Sequence, residues 1–313
     1  MQFQKRILLL ALAAGLAGCG EDGELFGSSK QEGKLTIALT DAPVESAAKV
    51  VVTFNEIELL KADNERLTFG LREAGSGCEA TDEAVAPNDA CALDLLTLTN
   101  GNSVVLLNED IPRGDYTQIR LGVLTGNQTY IELDDGSQFP LLIPSQVGLR
   151  LVRGFSIDKD EPVSFTIDFD LRKSLVHLPN GNYKLRPTLR IVDNAEAAEI
   201  VGTVDEDSLV NPSCDGDYVN GFAGVLYVFP GHDVTPDDID LVQNTVEPIA
   251  TTTIAYNPST AVFSFRAAFL PPGDYSVAYT CDGDDPEANE TLDFTSPVEV
   301  TLEEGDRETL VLE

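Results

Sequence analysis

Three times in this chain a Pro-x-Gly-[Asp/Asn]-Tyr pentapeptide leads straight into an alternating apolar run. Pro112–Tyr116 precedes YTQIRL, Pro179–Tyr183 precedes YKLRPTLRI, and Pro271–Tyr275 precedes YSVAYT. Proline presets one backbone angle, glycine accepts a positive φ, and Asp or Asn can hydrogen-bond the local backbone. Tyrosine then enters the strand with an apolar ring and a hydroxyl that needs a partner. Gly114, Tyr116, Gly181, Tyr183, Gly273 and Tyr275 are therefore read as structural turn residues. Arg113-Gly114-Asp115 also spells the tripeptide by which animal adhesion proteins bind integrins. Its recurrence as Pro-Asn-Gly-Asn-Tyr and Pro-Pro-Gly-Asp-Tyr makes it a strand-entry turn, with Arg113 at the variable position.

The text between these turns has a period of two. Leu35, Ile37 and Leu39 alternate with Thr36, Ala38 and Thr40, and Val50, Val52 and Phe54 share one face. Further short strands are read at RLTFGLR, LDLLTL, SVVLL, TYIEL, QFPLLI, VSFTIDFDL, GVLYVF, TTTIAY, VFSFRAAF, PVEVTL and ETLVL. The 17 Pro, 25 Gly and 42% hydrophobic residues suit short strands joined by turns around a real core. No long stretch has helical period. One helical turn is read within 41–48, and a short helix over 235–243 with Thr235 as N-cap and Pro236 at its first position. A two-residue hairpin at Asn180-Gly181 would pair Leu171 with Arg190 and Leu175 with Arg186. That mismatches the apolar faces, so a bulge or irregular stretch is expected over 172–182.

The amino terminus reads MQFQKR-ILLLALAAGLAG-CGED. Lys5 and Arg6 precede an apolar run over 7–18, shorter than the roughly 20 residues of a membrane-spanning helix, so it reads as an export signal. Leu16-Ala17-Gly18-Cys19 resembles the bacterial lipobox. The resemblance implies cleavage before Cys19 and lipidation of that residue, with Gly20 favouring the outer membrane over inner-membrane retention. Lipidation explains why the cysteines, at 19, 78, 91, 214 and 281, are odd in number. The remaining four are expected to pair as Cys78–Cys91 and Cys214–Cys281, which an oxidising compartment permits.

The chain carries 53 acids and a formal charge of −33. Such a surface repels phosphate backbones, so no nucleic-acid partner is expected. GxSxG, HExxH and Gly-rich phosphate loops do not occur in the sequence, and the two histidines, His177 and His232, fall far apart at turns. No catalytic residue is assigned, and the protein is read as a non-enzyme. Asp168 and Asp170 project from one face of a strand, roughly 7 Å apart, with Lys184, Arg186 and Arg190 on a nearby strand. They read either as a solvated face with cross-strand ion pairs or as half of a Ca²⁺ site. Asp282, Asp284 and Asp285, beside Cys281, form a second Ca²⁺ candidate without EF-hand spacing. No other cofactor is expected.

Thr40-Asp41-Ala42-Pro43, VVVTFNEIEL, LDLLTLTNGNSVVLL, IPRGDYTQIRL, FTIDFDLRKSL and GNYKLRPTLRIV, in that order, resemble domain-of-unknown-function family 4382 of bacterial exported lipoproteins. That family brings no catalytic residues to transfer. IVGTV and FSFRAAFLPPGDYSVAYT resemble the carboxypeptidase-regulatory, transthyretin-like sandwiches, which are non-catalytic attachments. Leu270–Tyr275 also resembles the tyrosine corner of Greek-key sandwiches. The reading is all-β: two Ig-like or transthyretin-like Greek-key β-sandwiches in tandem after a cleaved lipoprotein signal peptide. Its segments are a signal (1–18), a lipidated tether (19–33), a first sandwich (34–193), a linker (194–199) and a second sandwich (200–313). The expected protein is a lipid-anchored outer-membrane module, on the periplasmic or cell-surface face, that binds or scaffolds an envelope protein or glycan. A carboxylate-type glycan-active enzyme and a Ca²⁺-dependent adhesin are the alternatives.

Overall fold

The computed structural model describes residues 31–312, apart from 43–46, 72–89, 144–147, 159–160, 206–222, 241–245 and positions 258, 261 and 287. The signal, Cys19, Cys78, Cys214 and most of the tether lie outside the described residues, as does the centre of the helical turn read within 41–48.

The first fourteen strands are β1 (Glu32–Ala42), β2 (Lys49–Lys61), β3 (Arg66–Gly70), β4 (Cys91–Asp94), β5 (Val104–Pro112), β6 (Gly114–Leu124), β7 (Tyr130–Glu132), β8 (Gln138–Leu142), β9 (Leu149–Leu151), β10 (Phe155–Ile157), β11 (Val163–Asp170), β12 (Leu175–His177), β13 (Tyr183–Leu185) and β14 (Thr188–Asp193). A single helical turn, α1 (Leu171–Ser174), joins β11 to β12. One sheet has the order β14-β11-β1-β5, with β1 parallel to β11 and antiparallel to β5. The facing sheet is built around β2 and β6. Alternation places Leu35, Ile37 and Leu39 of β1, Phe165, Ile167 and Phe169 of β11, and Val50, Val52 and Phe54 of β2 in one core.

The remaining strands are β15 (Ala198–Val204), β16 (Val225–Pro230), β17 (Ala250–Thr253), β18 (Ala255–Asn257), β19 (Val262–Leu270), β20 (Gly273–Thr280), β21 (Val298–Leu302) and β22 (Arg307–Leu312). They form two four-stranded sheets, β18-β19-β15-β22 and β17-β16-β20-β21, around a second core. From β16 onward the chain crosses between these sheets two strands at a time, and β22 closes the first sheet parallel to β15. The protein is thus all-β, built of sandwiched sheets. The turn between β14 and β15 occupies 194–197, and β15 already begins at Ala198.

Two of the three pentapeptides are tyrosine corners. The Tyr116 hydroxyl donates to the Pro112 carbonyl at 2.6 Å, and Tyr275 does the same to Pro271 at 2.6 Å. Gly114 holds φ at 137°, which a side chain would strain. The third copy is a hairpin turn between β12 and β13, where Gly181 donates to the Leu178 carbonyl and Tyr183 packs on His177 and Phe139.

Several expected elements take other forms. LDLLTL becomes the end of β4 followed by a 3-10 turn at Leu95–Leu98, because the Asp94 carboxylate accepts from the Leu96 N–H and caps it. TTTIAY is two strands in different sheets, broken at Ile254, whose N–H turns to the Gly224 carbonyl. YKLRPTLRIV also splits, at Arg186-Pro187, into β13 and β14 of different sheets. The stretch expected to be irregular contains α1 and β12. The register jumps from Phe169↔Leu189 to Leu175↔Leu185 across α1, which resolves the mismatch a simple hairpin would create. The helix read over 235–243 does not form across 235–240, which has no regular secondary structure. There Asp238 and Asp284 engage backbone N–H groups in place of a helical ladder.

The corners yield a direct expectation. Tyr116→Phe and Tyr275→Phe each orphan a carbonyl acceptor and should lower the unfolding free energy by about 1–2 kcal/mol in urea titrations. Tyr183→Phe, outside a corner, should change it by less than about 0.5 kcal/mol.

Candidate functional site

The polar face of β11 is not solvated. Thr166 is 1% exposed and Asp168 8%, and Thr40, Asp41, Asp168 and Asp170 line a small cavity with Thr251, Thr252 and Phe269 of the second sandwich. The face read as either solvated or half of an ion site is thus one wall of a seam between the sandwiches.

Three contacts build the seam. At the first, α1 begins where the Asp170 carboxylate accepts from the Lys173 N–H and presents Arg172 and Lys173 outward. The Arg172 guanidinium is 3% exposed and donates to the Tyr227 hydroxyl at 2.7 Å. It lies 3.6 Å from Asp284, whose side chain is fully buried, and 5.7 Å from the centre of the Tyr227 ring. Tyr227 in turn donates to Asp284 at 2.5 Å. At the second, Lys173 donates to the Pro248 carbonyl and lies 3.5 Å from Asp170. The third is the turn Asn100-Gly101, with φ of 57° and 76°, the signature of a type I′ turn. Its Asn100 amide accepts from Thr252 at 2.6 Å and donates to Thr253 at 3.3 Å. A Cβ on Gly101 would meet the Arg266 guanidinium at 2.8 Å.

Tyr227 is available to Arg172 because β16 is apolar on both faces. Val225, Tyr227 and Phe229 pack outward against Ile239, Val234 and Phe294 in a small third core. Tyr227 meets Phe294 edge-on at 5.1 Å.

Acids outnumber bases here. Burial, and then the Asp168 charge, push Asp41 well above the usual carboxylate range. Burial also raises Asp170, Glu247 and Asp284, against the opposing pull of Lys173 on the first two and of the Tyr227 hydrogen bond on the third. One oxygen of Asp41, Oδ2, is buried without a hydrogen-bond partner, while its Oδ1 accepts from the Leu171 N–H at 3.2 Å.

The sequence-derived candidates fall around this seam in two groups. Asp168 pairs with its cross-strand neighbour Arg190 at 2.5 Å. Lys184, expected beside it, pairs with Val176 in the other sheet, and Arg186 follows it there. Asp282 accepts from the Asp293 N–H at 2.5 Å, and the Asp285 N–H donates to Glu290 at 3.0 Å. Among the described residues no group of three or more His, Cys, Asp or Glu is arranged to hold a metal ion. His177 packs on Tyr183, and His232 Nε2 lies 3.2 Å from the Val300 carbonyl. Arg113 is tied to Gln31 and Asp158, and Asp115 to Ser156, so neither end of the Arg-Gly-Asp tripeptide is free. Arg172, Tyr227, Asn100 and Asp41 were not read from sequence as site residues. The one available signal was the unbroken apolar run VLYVF, which marks a strand covered on both faces.

The profile of the family described as "Domain of unknown function (DUF4382)" matches residues 32–187, placing that likeness on the first sandwich. No curated protein matches the chain. Among solved structures, the Bacillus anthracis TIE protein is 11% identical with a TM-score of 0.18, over 90% of this chain and 34% of its own, so this chain spans about a third of it. A streptococcal ancillary pilin is 13% identical with a TM-score of 0.21, over 89% of this chain and 68% of its own. BcpA, the major pilin subunit of Bacillus cereus, is 12% identical with a TM-score of 0.18, over 90% and 69%. Among the described residues, no helix is long and apolar enough to cross a membrane.

Removing one partner of a buried ion pair leaves the other charge uncompensated, at a cost of about 3–5 kcal/mol. Arg172→Ala should lose stability on that scale in denaturant unfolding. Asp41 has a raised folded-state pKa, so its contribution is fully present below its unfolded pKa and is lost as pH rises through the folded value. Asp41→Asn should therefore flatten the fall in melting temperature between acid and neutral pH. It should also be more stable than the parent at pH 7.

Proposed function

We propose that this chain is a lipid-anchored, non-catalytic envelope protein of the bacterial outer membrane that binds or scaffolds a protein or glycan partner. The observation that carries the reading is the seam. Arg172 of the first sandwich is buried against Tyr227 of the second and Lys173 reaches the Pro248 carbonyl there, so the two sandwiches form one stiff unit suited to presenting a surface at a distance from the membrane. Leu16-Ala17-Gly18-Cys19, behind an apolar run, supports lipidation of Cys19. Two lipid-linked acyl chains suffice for stable anchoring. The pairings Cys78–Cys91 and Cys214–Cys281 belong to the same reading. Their support is that Cys91 and Cys281 are buried and disulfide-bonded, and closing the 78–91 loop stabilises by roughly 3 kcal/mol in the chain-entropy model.

Cys19→Ala should abolish incorporation of labelled palmitate and release the protein from the membrane fraction. Retention of label in that variant would sink the anchoring claim. In-cell cross-linking should recover a defined envelope partner with the parent chain. Protease shaving of intact cells distinguishes the cell-surface from the periplasmic face.

A further inference from the structure

The buried charge around Asp284 does not balance. Asp238, Asp240, Glu247 and Asp284 are electrostatic neighbours, and among the described residues Arg172 and Lys173 are the cations recorded against them. Lys173 is already shared with Asp170. Each of three carboxylates commits one oxygen to the surrounding loops. Asp284 Oδ2 accepts from the Ile239 N–H at 3.1 Å, Asp238 Oδ2 from the Glu290 N–H at 2.5 Å, and Asp240 Oδ2 from the Asn289 amide at 2.7 Å. The other oxygens of Asp238 and Asp284 are buried with no hydrogen-bond partner. Asp238 is 1% exposed and the Asp284 side chain 0%. A buried carboxylate oxygen left without a donor is costly unless a positive charge meets it.

We propose that the second sandwich binds one divalent cation of the Ca²⁺ class between its 236–240 segment and the Asp282–Asp285 stretch, anchored by Asp238 Oδ1 and Asp284 Oδ1. The ligands are all hard oxygens, which selects Ca²⁺ or Mg²⁺ over softer transition metals. Two carboxylates with free oxygens do not make a closed cage of three. Ca²⁺ takes six to eight oxygens and accepts main-chain carbonyls, amides and water among them. Among the described residues of the Asp282, Asp284 and Asp285 set, Asp284 is the one with a buried oxygen lacking a hydrogen-bond partner, so it alone is assigned as a ligand. Because the Arg172 guanidinium faces the other oxygen of Asp284, the ion also braces the seam. This inference does not rest on the binding or scaffold role, and its test reads the ion alone.

The test uses the full chain, purified in detergent and stripped with EDTA. Calorimetric titration with CaCl₂ should show one saturable site per chain, and millimolar Ca²⁺ should raise the melting temperature, as binding to the folded state alone requires. Tb³⁺ should give tyrosine-sensitised emission, since Tyr227 touches Asp284, and Ca²⁺ should displace it. Asp238→Asn should weaken binding at least tenfold, while Asp282→Asn should not. A flat titration with no sensitised emission from the parent chain overturns the proposal, even where variants fail to fold. So does Ca²⁺ binding that is undiminished in a folded Asp238→Asn chain.

Discussion

Arg172 makes two sandwiches into one structure. It leaves the first sandwich on a single helical turn and ends, almost fully buried, between the Tyr227 ring, the Tyr227 hydroxyl and the Asp284 carboxylate of the second. A buried guanidinium is tolerated only where its charge and its donors are met, so the second sandwich must present Tyr227 outward and bring Asp284 beneath it. The loops that cover the outer face of β16, with Phe294 and Ile239, serve that requirement. Lys173 and the Asn100-Gly101 turn extend the contact across the face of β11. The described chain from Gln31 onward accordingly behaves as one compact unit, although no ladder joins a strand before Asp193 to one after Ala198 among the described residues.

The seam also explains why its acids are poised. In a chain with 53 acids and 20 bases, any buried interface collects carboxylates faster than partners for them. Asp168 finds Arg190 and Asp170 finds Lys173. Asp41, Asp238 and Asp284 keep oxygens without partners. A proton can neutralise Asp41, while the pair Asp238 and Asp284, on two adjoining loops, is better matched by an ion.

Much of this was legible in the sequence, and the failures have identifiable causes. The two-residue period fixed the core faces of β1, β2 and β11, because alternation is a local property of a strand. The Pro-x-Gly-Asp-Tyr pattern located the tyrosine corner at Tyr275, since every atom involved lies within five residues, while the one at Tyr116 was read only as a strand-entry turn. The third copy, Pro-Asn-Gly-Asn-Tyr, shares the pattern but closes a hairpin, and nothing local separates the two outcomes. LDLLTL, TTTIAY and YKLRPTLRIV failed where a cap, a sheet change or a proline interrupts an apolar run that looks continuous. Asp168 and Asp170 were correctly placed on a polar face. That a second sandwich covers that face depends on residues far along the chain, such as Thr251, Thr252 and Phe269, which strand periodicity does not report. The same holds for Arg172, which in sequence is an ordinary base after an Asp-rich strand.

Coupling of the sandwiches into one folding unit by the seam can be read from calorimetric unfolding of the intact chain. It predicts a single transition whose calorimetric and van't Hoff enthalpies agree. Two resolved transitions in the parent chain, one for each sandwich, would contradict it.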